Sequence, residues 1–211
     1  MDSRPGTTIE VFADIWCTFA HVGLRMADAQ RRTTGRDDVR LRVRAWPLEW
    51  VNQAPMDPQK VADHVIELQE HVAPTMFRHV DTEHFPTSTI EALALVARAY
   101  RAGDAAGEQA AFAVRDALFE EGRDIGDPAV VAELGARLGI GAPDQDDRDS
   151  VRADYEDGIA KGVIGSPHFF CGDDSMFCPS LQITRGDGAL IIHSNAEQLG
   201  EFLRRCLGTP D

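Results

Sequence analysis

No stretch of about 18 apolar residues occurs in the chain, which argues against a membrane-spanning helix. The opening residues, Met1-Asp2-Ser3-Arg4-Pro5-Gly6, are polar and hold no apolar segment of a secretory leader. A cytoplasmic location is therefore expected. Basic clusters are also missing: 35 acidic residues against 21 basic ones leave a net charge of −14. Such a surface repels polyanions, so neither nucleic acid nor an anionic membrane is an expected partner. There is no internal repeat and no low-complexity tract. Cysteine is scarce, with Cys17, Cys171, Cys178 and Cys206 the full set. In a reducing compartment four thiols are not a disulfide framework. They do not suggest a metal either, because the Cys171–Cys178 spacing is wider than in common zinc sites and no second pair follows.

What is present is a globular composition. Hydrophobic residues make up 43% and charged residues 27% of 211 positions, enough for one sizeable core or for a small domain carrying a large insertion. The β-prone run from Thr8 to Ala13 predicts a first strand. Phe19 to Thr34 predicts a helix with Val22, Met26 and Ala29 on its apolar stripe and Gly35 as its stop. Val39 to Trp46 alternates apolar and basic residues, the mark of a half-exposed strand, and Pro47 ends it. This βαβ unit should cross over with right-handed sense.

From Asp57 to about Gly162 helical signals dominate. Asp57-Pro58 and Asp127-Pro128 each place an N-cap before a proline, and Val61, Val65, Leu68 and Val72 follow the first at helical spacing. Ser88 and Glu91 predict a capping box ahead of Ile90, Ala94 and Ala97. Further helices are predicted from Asp104 to Gly122 and from about Asp144 to Lys161. A short aromatic strand then follows Pro167. Gln182 to Arg185 and Ala189 to His193, joined by Gly186-Asp187-Gly188, predict a hairpin, and Asn195 caps a last helix carrying Leu199, Phe202, Leu203 and Cys206. The order βαβ, helical block, ββα predicts an α/β fold interrupted by a helical insertion. On this reading residues 1–56 and 160–211 form one domain and 57–159 an all-helical insertion.

Cys17 falls at the turn between the first strand and the first helix. Unpaired N–H groups at a helix start favour an anion, which biases a thiol there toward thiolate. His21, four residues on, shares its helix face and as imidazolium would push the same way. The expectation is an exposed or half-exposed functional thiol.

The run Asp14-Ile15-Trp16-Cys17-Thr18-Phe19-Ala20-His21-Val22-Gly23, with Gly162-Val163-Ile164-Gly165-Ser166-Pro167-His168-Phe169 far downstream, resembles the DsbA-like thioredoxin superfamily. The likeness is to its FrnE-type branch, kin of 2-hydroxychromene-2-carboxylate isomerases and kappa-class glutathione transferases, and it extends over nearly the whole chain. It implies a thioredoxin fold with a helical domain inserted between the βαβ and ββα halves. It also implies thiol oxidoreduction through Cys17, and a cis-proline at Pro167 facing that sulfur, where Ser166 and Pro167 would present a substrate by strand-like pairing. Redox members carry a Cys-Pro-Trp-Cys-like box after an Asp. Here Asp14, Cys17 and Gly23 match, but the resolving cysteine has become Ala20.

That departure leaves three outcomes open. A monothiol cycle would use a low-molecular-weight thiol, glutathione or a bacterial counterpart, to resolve the mixed disulfide. Alternatively the site would activate a bound thiol cofactor for isomerisation or transfer on an aromatic small molecule. Last, a site that has lost catalysis would only bind. No tightly bound cofactor is expected. Trp16, Phe19 and His168 are candidates to line a cleft for a disulfide-bearing or small aromatic substrate. Cys171 and Cys178 flank a turn-rich acidic loop and are either packing residues, a local disulfide, or a source of a resolving thiol for Cys17.

Overall fold

The structure, a computed structural model, describes residues 7–36, 38–178, 181–186, 189–194 and 196–207. The element order is β1 (Thr8–Ala13), α1 (Thr18–Thr33), β2 (Arg40–Ala45), α2 (Leu48–Asn52), α3 (Pro58–His71), α4 (Ile90–Ala102), α5 (Asp104–Phe119), α6 (Pro128–Arg137) and α7 (Gln145–Ala160). There follow β3 (His168–Cys171), β4 (Asp174–Phe177), β5 (Leu181–Gly186), β6 (Ala189–Ser194) and α8 (Ala196–Leu207). A four-stranded mixed sheet runs β2-β1-β3-β4, and β5 and β6 pair in a separate two-stranded sheet. β1 and β2 are parallel, β3 is antiparallel to β1, and β4 is antiparallel to β3. The α/β fold with helices inserted between β2 and β3 is thus as the sequence predicts.

The central strand explains the layering. β1 is buried on both faces over its apolar end, Val11-Phe12-Ala13, while Thr8 is exposed and Glu10 half-buried. Ile9 and Val11 enter the main core with Leu41, Val43 and Phe169. Phe12 points the other way, into a second cluster with Trp46 and Val163, where Tyr155 of α7 packs. Gly158 lets α7 approach closely: an added Cβ would sit 2.7 Å from the Trp46 ring and 3.1 Å from that of Phe12. The basic face of β2 is covered instead of open. Arg44 is held by Glu10 of β1 and by Asp154 and Asp157 of α7, and Arg42 by Asp104 of α5.

The proline-marked starts hold, with Asp57 and Asp127 each accepting from the N–H two residues on. Several local readings do not. On α1 Val22 of the predicted stripe is buried and Met26 half-buried, but Ala29 is exposed and the buried face runs through Ala20, Leu24 and Ala27 as well. No capping box forms at α4: the Ser88 hydroxyl donates to Glu49 at 2.8 Å, and Glu91 is taken by Arg148 in two hydrogen bonds. The acidic segment after Cys171 is a strand, β4, turned on Gly172 at φ +59°. Its backbone pairing with β3 outweighs a polar sequence with weak strand propensity. Asp187, Gly188 and Asn195, on which the hairpin turn and the last helix cap were read, lie outside the described residues, as do Met1 to Gly6.

Candidate active site

Cys17 is the N-cap of α1, in extended backbone with φ −72° and ψ 105°. Its sulfur accepts from the Ala20 N–H at 3.4 Å, the ordinary bond of a cap side chain to the third helical residue. The thiol in turn donates to the Ser166 carbonyl at 3.1 Å. Across the loop the Ser166 hydroxyl accepts from the Asp14 N–H at 2.9 Å, so two bonds fasten the start of α1 to the segment ahead of β3. The Ser166–Pro167 peptide bond is cis. The Cys178 N–H donates to the Pro167 carbonyl at 2.8 Å. Cys17 lies 149 residues before Ser166, and the sheet brings it to the segment that carries Ser166, Pro167 and Cys178.

The state of the thiol is the first correction. Cys17 is only 5% exposed. Burial raises its pKa above the ordinary 9.0, and the Asp14 charge adds to the rise, against the bonds to Ser166 and Ala20. A helix start favours an anion by about 0.3–1 kcal/mol. Desolvating a buried ionised group shifts its pKa by up to about 3–5, several times more. Burial wins, and the resting sulfur is a protonated donor and not an exposed thiolate.

His21 is the second correction. It is 1% exposed, packed between Phe77 and Phe119 with ring centroids at 5.2 and 5.1 Å. Its Nε2 lies 3.2 Å from Glu120, and Nδ1 is buried with no partner. A charged ring would strand a buried N–H at Nδ1, whereas a neutral one donating through Nε2 leaves only an unused acceptor. Burial accordingly lowers the His21 pKa, and the contact with Glu120 is a hydrogen bond in place of an ion pair. Burial alone would raise the pKa of Glu120, but bonds from His21, from the Phe77 N–H and from Arg78 outweigh it and hold the carboxyl down to about 2. His21 braces α1 on α5 and does not activate sulfur.

Beneath Cys17 lies a charged pair that sequence reasoning missed in part. Asp14 is fully buried and accepts from the N–H groups of Trp16, at 3.2 Å, and of Leu48. Burial raises its pKa to about 6 in spite of these bonds and of the nearby Arg115 charge. Arg115 of α5 is fully buried, donating to the carbonyls of Ala111 at 2.7 Å, Asp14 at 3.3 Å and Ala13 at 3.5 Å. Burial lowers its pKa to about 10. It thereby holds the carbonyls of the loop that leads into Cys17. The signal was there to be read: an arginine inside Phe112-Ala113-Val114-Arg115-Asp116-Ala117-Leu118, on a helix otherwise apolar at that face.

The remaining candidates scatter. Trp16 is fully buried and lines no open groove. Phe19 is half-buried and its ring lies 5.0 Å from that of His64. His168 is buried, accepting from the Ile164 N–H at 3.4 Å, its ring centroid 4.3 Å from that of Phe170 at a tilt of 38°; burial lowers its pKa. The exposed surface beside the loop comes from two residues not singled out beforehand. Ile164 is 73% exposed and Phe177 is exposed against Gly165. Cys171 and Cys178 cannot pair with each other. Cys171 faces Asp174 at the turn, while Cys178 lies past the Phe177–His168 pair at the other end of β4. Some four strand residues at 3.3 Å each separate them by ~13 Å, beyond the reach of a disulfide. Cys178 is buried, and burial pushes its pKa up to about 12.

Among the described residues no helix is long and apolar enough to cross a membrane. Among curated proteins nothing matches the sequence. The cytosolic disulfide reductase DsbM from Pseudomonas aeruginosa is similar in structure, with TM-score 0.60 and 19% identity over 95% of this chain and 98% of that one. The same reductase is also solved with GSH. A 2-hydroxychromene-2-carboxylate isomerase matches at TM-score 0.64 and 15% identity, covering 97% and 100%. A probable DsbA oxidoreductase from Streptomyces coelicolor matches at 0.66 and 18%, covering 97% and 92%. At such identities these likenesses concern the fold. The DSBA-like thioredoxin domain model, by contrast, matches residues 8–189, which is most of the sequence and includes Cys17 and Pro167. The chain belongs to the family of DSBA-like thioredoxin domains.

Proposed function

We propose that the protein is a thiol-dependent oxidoreductase of the DsbA-like kind, in which Cys17 is the single nucleophile and an external thiol completes the cycle. One observation carries this reading: the Cys17 sulfur caps α1 and meets the Ser166 carbonyl, with Ala20 where a resolving thiol would stand. Once deprotonated, the sulfur attacks a substrate disulfide, forming one mixed disulfide and expelling one thiolate. A low-molecular-weight thiol attacks the Cys17 sulfur, releasing the reduced product and leaving its own sulfur on Cys17; a second such thiol attacks that outer sulfur, freeing the Cys17 thiolate and releasing the low-molecular-weight disulfide. Cys178 is a poor candidate for that resolving role, because few molecules are ionised near neutral pH at a pKa of about 12. Glutathione, or a thiol of its type, is the candidate, in keeping with the similar reductase solved with GSH. Ile164 and Phe177 give the neighbouring surface an apolar character suited to an extended peptide or an aromatic group. We place the protein in the cytoplasm, where such thiols are abundant.

A second reading rests on the burial of Cys17, which suits a fold kept for binding. Turnover of a glutathione–peptide mixed disulfide by reduced glutathione separates the two. The proposal expects turnover by the wild type and its loss in Cys17→Ser. Equal rates in both proteins, or none in either, would leave the binding reading.

A further inference from the structure

Two cysteines lie outside the candidate site and are partly exposed, whereas Cys17 and Cys178 are buried. Cys171 closes β3 at the corner before Gly172, and Cys206 lies in the last turn of α8. The residues that flank them bring the end of β3 and the last turn of α8 together. The contact is held from both sides. Phe202, one turn before Cys206, packs edge-on to Phe169 at 6.2 Å. Arg205, next to Cys206, bonds Asp174 at 2.7 Å, and Asp174 is the cross-strand partner of Cys171. A disulfide needs paired Cβ atoms in close apposition, and these contacts set Cys171 and Cys206 side by side on the facing sides of β3 and α8. A metal does not explain the pair, since no group of three metal-ligating side chains occurs among the described residues.

We propose that Cys171 and Cys206 form a redox-active dithiol, oxidised by a low-molecular-weight disulfide to an intramolecular disulfide that ties α8 to the end of β3. Burial raises the pKa of both thiols, so the first attack comes from the small ionised fraction of either, as for Cys171. The Cys171 thiolate attacks oxidised glutathione, forming a Cys171–glutathione disulfide and expelling one glutathione thiolate. The Cys206 thiol, losing its proton to solvent, attacks the Cys171 sulfur, and the second glutathione leaves. The two cysteines lose two hydrogens and one oxidised glutathione becomes two reduced ones, so the exchange balances. α8 packs on α1, so the tie would stiffen the layer that carries Cys17. Under a reducing poise the pair stays open.

The test is treatment of the full chain with oxidised glutathione, then non-reducing tryptic digestion and mass spectrometry. Trypsin leaves Cys171 and Cys178 on the fragment 162–185 and Cys206 on 206–211, so Cys178→Ser assigns the partner. The expected product is the 162–185/206–211 cross-link, in wild type and in Cys178→Ser alike, with the joined fragments lighter by two hydrogens and no glutathione on Cys171 or Cys206. Cys206→Ser should instead hold one glutathione on Cys171. Cys171 and Cys206 both still open to alkylation after treatment, or Cys171 joined to any other cysteine, overturns the proposal.

Discussion

Replacing Asp14 with asparagine removes the buried charge under Cys17 and has a calculable signature. The folded carboxyl titrates at about 6 against an ordinary 3.8, because burial outweighs the Leu48 and Trp16 N–H groups. A folded pKa above the unfolded one means that the fold prefers the protonated acid. Its contribution is therefore fully present below 3.8 and is lost as pH rises through about 6. The rise is worth about 3 kcal/mol in all, of which about 2.5 kcal/mol falls between about pH 4 and about pH 7. The substituted amide has one acceptor oxygen for two N–H groups, which costs about 1–3 kcal/mol at every pH. The constant offset and the pH-dependent part are thus separable. Urea unfolding of both proteins across that range should show the wild type losing its advantage over Asp14→Asn by about 2.5 kcal/mol toward neutral pH. The same variant should lower the pH at which Cys17 is alkylated, since the Asp14 charge opposes the thiolate. Parallel stability profiles, with no change in the difference between the proteins, would refute the assignment of the raised pKa to Asp14.

Three further outcomes follow from the packing. Arg115→Met strips the charge that faces Asp14 and frees the Ala13 and Asp14 carbonyls, and should cost about 3–5 kcal/mol in thermal or urea unfolding; a loss below about 1 kcal/mol would contradict its placement. His21→Ala should destabilise by about 2–4 kcal/mol through lost aromatic packing yet leave the pH midpoint of Cys17 alkylation unmoved; a raised midpoint would restore His21 as an activator. Gly158→Ala drives a methyl into Trp46 and Phe12 and should cost about 1–3 kcal/mol, read as a lower melting temperature; a neutral result would mean that α7 stands further from the sheet.

What the sequence disclosed and what it hid divide along the range of the forces involved. β1, β2 and the Asp-Pro helix starts are set by neighbours within a few residues, and all are found where the pattern puts them. Glu91 shows the limit of such signals: a local capping partner was available, but Arg148, 57 residues on, offered a bidentate bond. β4 was hidden because Asp173, Asp174 and Ser175 resemble a loop until β3 supplies the ladder. The place of Cys17 at a helix start was legible from its flanking periodicities. Its ionisation was not, because the helix terminus is a local influence, whereas Asp14, Ser166 and the surrounding burial arrive through the fold. His21 was misjudged for the same reason. Helical spacing puts it on the face of Cys17, and only α5 reveals that Glu120 holds the ring. Arg115 was the readable signal passed over, a charge at an apolar helical position.

The most direct test is the rate at which Cys17 of the folded protein forms a mixed disulfide with oxidised glutathione as pH is raised, followed by peptide mass with Cys17→Ser as the blank. A buried, protonated nucleophile predicts that the Cys17 adduct forms and that its rate climbs about tenfold per pH unit through neutral pH and up to at least 9.0, the ordinary thiol value. An adduct that forms only after unfolding would contradict the nucleophile. A rate already flat near neutral pH would contradict the buried protonated thiol.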